Sequence, residues 1–422
     1  MNQQTPLNDR RFHFIDIIRG IALLGILIMN SQTYSLFAFL RPEQVYERHL
    51  GQPDAYVPTQ FFVHLFFRGQ FYTLYSFLFG LSFYLMWSKN NQAGLDANRI
   101  FRRRLWLLLL MGLIHAFIFW FGDILHKYAL LGFTLLYFNT KSVATVLNWM
   151  VALLLLGIGS QVVTIVLFPD TPESLARSQQ SFELVVTQVV STWQYGSVWD
   201  VIRLQKLGVM LLHIAAIRNG LVNYLHYELL FLLGLVTGKL QLFRRINAIK
   251  IQLLKLVFWI FPFALLLKGL SCLPLFDIHL LPATQLPCEK LIFSLAEFMG
   301  TPLLTIVYLI ELSLFLQQKP PRFFRWIGNA GRLGLTNYLM QTLLCMAFFY
   351  GYAFGFSGHL TLLQSFFAVI CLYIFQVWYS TQWLKYHRSG PLETVWRNWA
   401  YKNEVIRPSA SVPKPESSKA IQ

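Results

Sequence analysis

His115-Ala116-Phe117-Ile118-Phe119-Trp120-Phe121-Gly122-Asp123-Ile124-Leu125-His126-Lys127 is a polar interruption in an apolar run that enters from residue 105 and leaves toward residue 138. Two histidines, an aspartate and a lysine are costly in a bilayer unless they face protein, water or the interface. The spacing predicts a helix over residues 105–121, ended by Gly122, which tolerates backbone angles other residues avoid. Asp123 then stands where it can cap the next helix. The expected structure is a helical hairpin with a polar tip, and the functional site is expected around that tip.

Outward from the hairpin, apolar segments of about 20 residues recur to both ends, each long enough to cross a bilayer. The 422 residues are 55% hydrophobic and 13% charged, whereas a soluble domain carries about 25% charged residues. No strand alternation interrupts the pattern. The fold class is therefore all-α, a polytopic integral membrane bundle of about ten helices. The net charge of +16 does not point to nucleic acid, because the basic residues sit in short loops between apolar spans, as the positive-inside rule describes. The first apolar segment follows Arg10 and Arg11. It is too long for a signal-peptide core and lacks a small-residue cleavage site, so it reads as a retained span.

The expected spans are residues 14–40, 60–88, 105–121, 123–138, 142–168, 221–238, 251–270, 291–316, 333–353 and 360–384. Lys89, Arg99, Arg102, Arg103 and Arg104 form the strongest basic cluster and mark a cytoplasmic loop, and counting spans from there puts both termini in the cytoplasm. The chain divides into a five-helix half (1–168), an outer segment (169–220), a second five-helix half (221–404) and a disordered tail (405–422). Within the outer segment, residues 201–217 are apolar but carry Arg203, Lys206 and His213, which suits an interfacial or re-entrant piece better than a crossing.

The candidate site residues are the polar groups inside these spans. His115 and Asp123 lie about 80° apart around a helix and can face one cavity. A histidine beside a carboxylate is the arrangement of a general base, although a buried histidine also serves simply for packing. His126 and Lys127 follow directly and extend the cluster. Asn30 can either line a substrate cavity or hydrogen-bond a neighbouring helix. Asp16 and Arg19 share a helix face. They form either a charge pair at the membrane surface or a contact with the phosphates of a cytosolic acyl donor. His64, Arg68, His226 and Glu228 fall in the outer halves of their spans, as substrate-path residues or structural pairs, with Glu228 or Asp123 as the expected partner of Arg68. Cys272 and Cys288 share an outer loop, where oxidising conditions allow a disulfide; two free thiols is the alternative. The four cysteines have no zinc or CxxC spacing, and no metal site is expected. No phosphate-binding loop, nucleophile elbow or HExxH motif is present.

Several stretches resemble the YeiB family, bacterial inner-membrane proteins classed as a domain of unknown function: IDIIRGIALLGILIMN (15–30), LYSFLFGLSF (74–83), RRLWLLLLMGLIHAFIFWFGDILHKYALLG (103–132), GNAGRLGLTNYLMQTLL (328–344) and SGPLETVWR (389–397). They lie in order over nearly the whole chain. The resemblance implies an inner-membrane location and, for some members, a transport-associated role. The first span also resembles that of transmembrane acyltransferases, which show Asp-x-x-Arg-Gly at this place, here Asp16 to Gly20. Many of those carry a histidine where this chain has Asn30, so a retained acyl-transfer chemistry needs another base, and His115 is the candidate.

The favoured expectation is acyl transfer from a cytosolic thioester, with acyl-CoA as donor substrate and no other cofactor, onto an extracytoplasmic or lipid-linked acceptor. The alternatives are a transporter for a small organic solute, with Arg68, His115, Asp123 and Glu228 on its path, and a structural membrane partner. The expected partners are the lipid bilayer and a lipid or small-molecule substrate, with oligomeric state open. The topology makes one prediction. An impermeant thiol reagent applied to intact cells should label a cysteine placed at Ser181 and spare one placed at Asn98; the opposite pattern would invert the topology.

Overall fold

The computed structural model describes residues 7–167, 171–282, 286–317 and 321–402, and the expected tail at 405–422 lies outside them. Among the described residues every regular element is helical, and no strand occurs. α1 (Leu7–Tyr34) leads through a short α2 (Pro42–Glu47) to α3 (Pro53–Phe66) and α4 (Gln70–Gln92). α5 (Ala97–Ile114) runs through a π turn (His115–Phe119) into the hairpin tip, and α6 (Leu125–Asn139) and α7 (Val143–Leu167) follow. α8 (Pro172–Tyr195) and α9 (Val198–Arg218) precede α10 (Val222–Lys239), the short α11 (Leu242–Arg245) and α12 (Lys250–Cys272). α13 (Leu286–Gln317), α14 (Arg322–Arg332), α15 (Gly334–Phe349), α16 (Leu362–Tyr386) and α17 (Pro391–Ala400) complete the described chain.

Five helical stretches are long and apolar enough to cross a membrane: Phe14–Tyr34, Val143–Ile165, Lys250–Phe276, Pro287–Gln317 and Leu362–Tyr386. The first and fourth are mostly buried inside the protein, while the other three turn most of their surface outward. Leu155, Phe258, Trp259 and Phe367 are among the exposed side chains there. Apolar surface on that scale belongs against lipid rather than water, and the chain is a multi-pass membrane protein.

Three expectations about local structure are corrected. The span expected over 60–88 is broken: α3 stops at Phe66, Gly69 adopts φ +94°, and α4 starts at Gln70. The segment expected outside, over 169–220, contains two long helices, α8 and α9, rather than a loop with one apolar piece. Val189, Trp193, Val201 and Leu204 of α8 and α9 are buried in the main core, which the alternation of polar and apolar residues along α8 makes possible. The basic stretch after α13 is helical as α14, whose Ile327, Gly328, Ala330 and Gly331 are buried.

Backbones meet where glycines coincide. A Cβ on Gly331 of α14 would lie 1.9 Å from the carbonyl oxygen of Asp16, and one on Gly20 of α1 would lie 2.3 Å from that of Ile327. The same device joins α4 to α10, where a Cβ on Gly80 would lie 2.1 Å from the Phe231 carbonyl oxygen and one on Gly234 would lie 2.2 Å from that of Phe77. Small residues at such crossings let membrane helices gain packing that side chains would prevent. Helices before α8 and α9 thus pack on helices after them, and the two sequence halves share one core.

Gly331→Ala should force α1 and α14 apart and cost about 1–3 kcal/mol. Gly159→Ala, on α7 with open space around it, should leave the melting temperature in detergent unchanged. Equal melting of the two variants would refute the close crossing.

Candidate functional site

The hairpin tip is built by a change of helix type. α5 widens into the π turn at His115, which closes when the Trp120 amide donates to the His115 carbonyl at 2.8 Å. Such insertions are rare and often accompany function. The helix ends at Phe119, and Trp120 is extended (φ −151°), so the expected continuation to Phe121 is corrected. Trp120 stacks on Tyr34 of α1 with ring centroids 3.9 Å apart. The Phe121 amide donates to Gln205 of α9 at 2.8 Å. Gly122 leaves room for Trp120, since a Cβ would sit 2.6 Å from its indole nitrogen. Gly112 lets α6 come close, because a Cβ there would lie 2.3 Å from the His126 amide nitrogen.

Asp123 is fully buried at the centre. Its Oδ1 meets His115 Nδ1 at 2.8 Å, and its Oδ2 meets His126 Nδ1 at 2.7 Å and accepts the His126 amide at 2.9 Å. The last bond takes a first-turn amide of α6 from one residue before its N-cap, Ile124, so Asp123 stands just outside the cap position expected for it. An ionised carboxylate only accepts, so both imidazoles donate from Nδ1 and, when neutral, present Nε2 as an acceptor. The His115 Nε2 receives the hydroxyl of Thr342 on α15 at 2.9 Å. The His126 Nε2 is buried and has no partner among the described residues. Tyr338, one turn before Thr342, accepts the Ile124 amide at 3.2 Å and lies 3.5 Å from Asp123 Oδ1.

α15 is held to the tip from its far end. Glu393 of α17 accepts the amides of Leu335 and Thr336 at 2.8 and 3.0 Å and the Thr336 hydroxyl at 2.6 Å. A carboxylate on first-turn amides also favours the helix dipole. Tyr338 and Thr342 were not singled out in the sequence. Their signal was present as Thr336, Asn337, Tyr338, Gln341 and Thr342, polar residues at helical spacing within an apolar span.

Beside the tip lies a cavity of about 130 Å³. Ile26, Met29 and Asn30 of α1 form one wall, and Phe67, Gly69, Phe71 and Tyr72 at the α3–α4 break form another. Gly122, Ile124, Tyr227 and Tyr338 close it. Asn30 therefore faces a cavity.

The other expected site residues separate. Asp16 and Arg19 pair at 2.7 Å, and Arg19 also donates to Ser82 at 3.1 Å and to the Gly331 carbonyl at 3.3 Å. Lys127 lies 5.8 Å from the Tyr224 ring centroid. His226 is bonded to the Phe298 carbonyl at 2.8 Å and to the Tyr72 hydroxyl at 3.0 Å. The expected pairing of Arg68 with Glu228 or Asp123 is corrected: Arg68 meets His64 at 3.0 Å, while Glu228 accepts from Thr134 at 2.7 Å. The nearby carboxylate that an intramembrane cation would seek is Glu297, and it is taken by the fully buried Lys268 at 2.6 Å. Cys272 and Cys288 are unbridged, one buried at the end of α12 and the other exposed at the start of α13, so the expected disulfide is not formed.

Thr342→Ala should leave the His115 nitrogen buried without a donor, at about 1–3 kcal/mol, whereas Thr342→Ser should keep the bond. Thermal unfolding in detergent checks this, and equal melting of Ala and Ser variants would show that the bond contributes nothing.

Residues 237–403 match a family described as "Protein of unknown function (DUF418)". The chain is 28% identical to the uncharacterized protein YxaH of Bacillus subtilis (strain 168) over 94% of its own length and 96% of that protein's. It is 27% identical to the uncharacterized protein YeiB of Escherichia coli (strain K12), over 91% and 94% respectively. No solved structure matches it. The order of shared stretches and the near-complete coverage agree with the resemblance to the YeiB family, and residues 237–403 carry the match to DUF418.

Proposed function

We propose that the chain is a ten-span protein of the bacterial inner membrane with both termini in the cytoplasm, and that it moves an acyl group from cytosolic acyl-CoA to an extracytoplasmic or lipid-linked acceptor. His115 acts as base, Asp123 orients it, and Arg19 lies near the donor's way in. The observation that carries this reading is the hydrogen-bond chain from Asp123 through His115 to Thr342. A carboxylate-oriented imidazole with a hydroxyl on its other nitrogen is how a hydroxyl is activated for attack on an acyl carbon. About 16 Å of helix rise separates Arg19 from Asn30 along α1, a reach suited to an extended pantetheine arm.

The topology draws support from the end of the chain. Arg104 stacks on Trp396 at 3.9 Å, and Arg103 donates to the Lys402 carbonyl. The basic cluster and the C-terminal signature thus share one side, as a cytoplasmic C-terminus requires.

A second reading, transport of a small solute, is favoured by the α3–α4 break. Broken helices beside a cavity are the usual binding element of transporters. Against it, none of the four residues expected on the solute path, Arg68, His115, Asp123 and Glu228, lines the cavity.

The test uses protein in lipid nanodiscs with labelled acetyl-CoA or palmitoyl-CoA and a bacterial lipid extract. Label should move to lipid, and His115→Gln and Thr342→Ala should each slow transfer by about 10²–10⁴-fold while remaining folded. Asp123→Asn should also fold, with a smaller loss. Full transfer by folded His115→Gln protein would end its role as base. Solute flux in proteoliposomes, with no acyl transfer from either donor, would replace the enzyme reading with the transport one.

A further inference from the structure

At the α3–α4 break the two sides of the backbone are treated differently. The carbonyls on the α3 side find donors: Tyr308 reaches the Phe66 oxygen at 3.0 Å and Lys268 reaches that of Arg68 at 3.2 Å. On the α4 side no side chain caps the helix at Gly69. The first-turn amides of Gln70, Phe71 and Tyr72 precede any intrahelical acceptor. Gly69, Phe71 and Tyr72 line the cavity, so this uncapped end of a 23-residue helix borders it.

An independent observation comes from the opposite walls. Tyr227 is only 5% exposed and lines the cavity, yet its hydroxyl has no hydrogen-bond partner among the described residues. The Asn30 amide, also on the cavity wall, has none either. The Tyr227 side chain is buried while its hydroxyl oxygen is not sealed off, so the oxygen is open to whatever occupies the cavity. The polar groups offered to the cavity are thus the helix-end amides, a phenol O–H and a side-chain amide. No carboxylate lines it; the nearby Asp123 is occupied by its own donors. The remaining surface is apolar, chiefly Ile26, Met29, Phe67 and Phe71.

We propose that this cavity binds an acceptor-headed ligand with a short apolar tail: a carboxylate or an acyl carbonyl carrying a chain of three or four carbons. The donors and the positive end of α4 select the head, as helix N-termini select anionic and oxyanionic oxygens. The volume selects the tail. A cavity of about 150 Å³ accommodates benzene, so one of about 130 Å³ takes roughly six heavy atoms. That head and tail occur in a free short-chain carboxylate and in the acyl end of a short-chain thioester. The assignment stands on the cavity and does not require acyl transfer.

Calorimetric titration of the full chain in nanodiscs tests it, with butyrate, butyryl-CoA, palmitoyl-CoA and butylammonium as probes. Saturable binding of butyrate or butyryl-CoA is expected, weakened about tenfold by Tyr227→Phe through loss of one hydrogen bond. Asn30→Ala should weaken it similarly, and Ile26→Phe, which fills the cavity, should abolish it. Size-exclusion profiles and melting temperatures confirm that the variants are folded. Butyrate binding without butyryl-CoA binding identifies a free carboxylate as the source, and the reverse identifies an acyl donor. No binding of either, binding untouched by the Tyr227 and Ile26 variants, or equal binding of palmitoyl-CoA or butylammonium overturns the proposal. Because binding is read apart from turnover, a bound probe with no transfer removes the acyltransferase reading and leaves the site.

Discussion

A carboxylate removed from water inside a membrane bundle is the constraint around which the centre of this protein is arranged. Asp123 is fully buried, and an unpaired charge there would be strongly destabilising. Two imidazoles and a backbone amide surround it instead. Each donor comes with a structural condition. His115 reaches it because α5 opens into a π turn. His126 reaches it because Gly112 lets α6 come within backbone contact of α5. Thr342 completes the His115 side only because α15 is packed against the tip.

That last condition links the centre to the remote end of the chain. Glu393 on α17 fixes the first turn of α15, and Trp396 on the same helix donates to the Arg104 carbonyl at 2.8 Å. α17 thus ties α15 to α5, the two helices that supply Thr342 and His115. The C-terminal stretch over 389–397 is therefore a brace for the hairpin tip, remote from the Asp123 cluster itself. Its effect is positional, and a buried hydrogen-bond chain is sensitive to displacements of a fraction of an ångström.

The hairpin, its polar tip and the bond from Asp123 to a first-turn amide were legible in residues 115–127 because they depend on local spacing and on the cost of polar groups in lipid. The pairing of Asp16 with Arg19 was legible for the same reason, being one helical turn. The break at Gly69 was not, since the apolar run passes through it without a change of composition. Neither were the partners of Arg68 and Glu228. Sequence placed these residues at similar depth, but which cation meets which carboxylate depends on helix rotation, and Lys268 of α12 reached Glu297 first.

By itself the sequence determined an all-helical membrane protein, the resemblance to the YeiB family, the approximate helices and a polar cluster at the hairpin tip. Those features follow from hydrophobic length, charge placement and short-range geometry. Only the tertiary structure decided that Thr342 stands on His115, that Tyr227 and Asn30 border one cavity with an uncapped helix end, and that α8 and α9 belong to the core. Such contacts join residues far apart in the chain. They are selected by how glycine-lined faces rotate and pack against one another, and neither composition nor periodicity encodes that rotation.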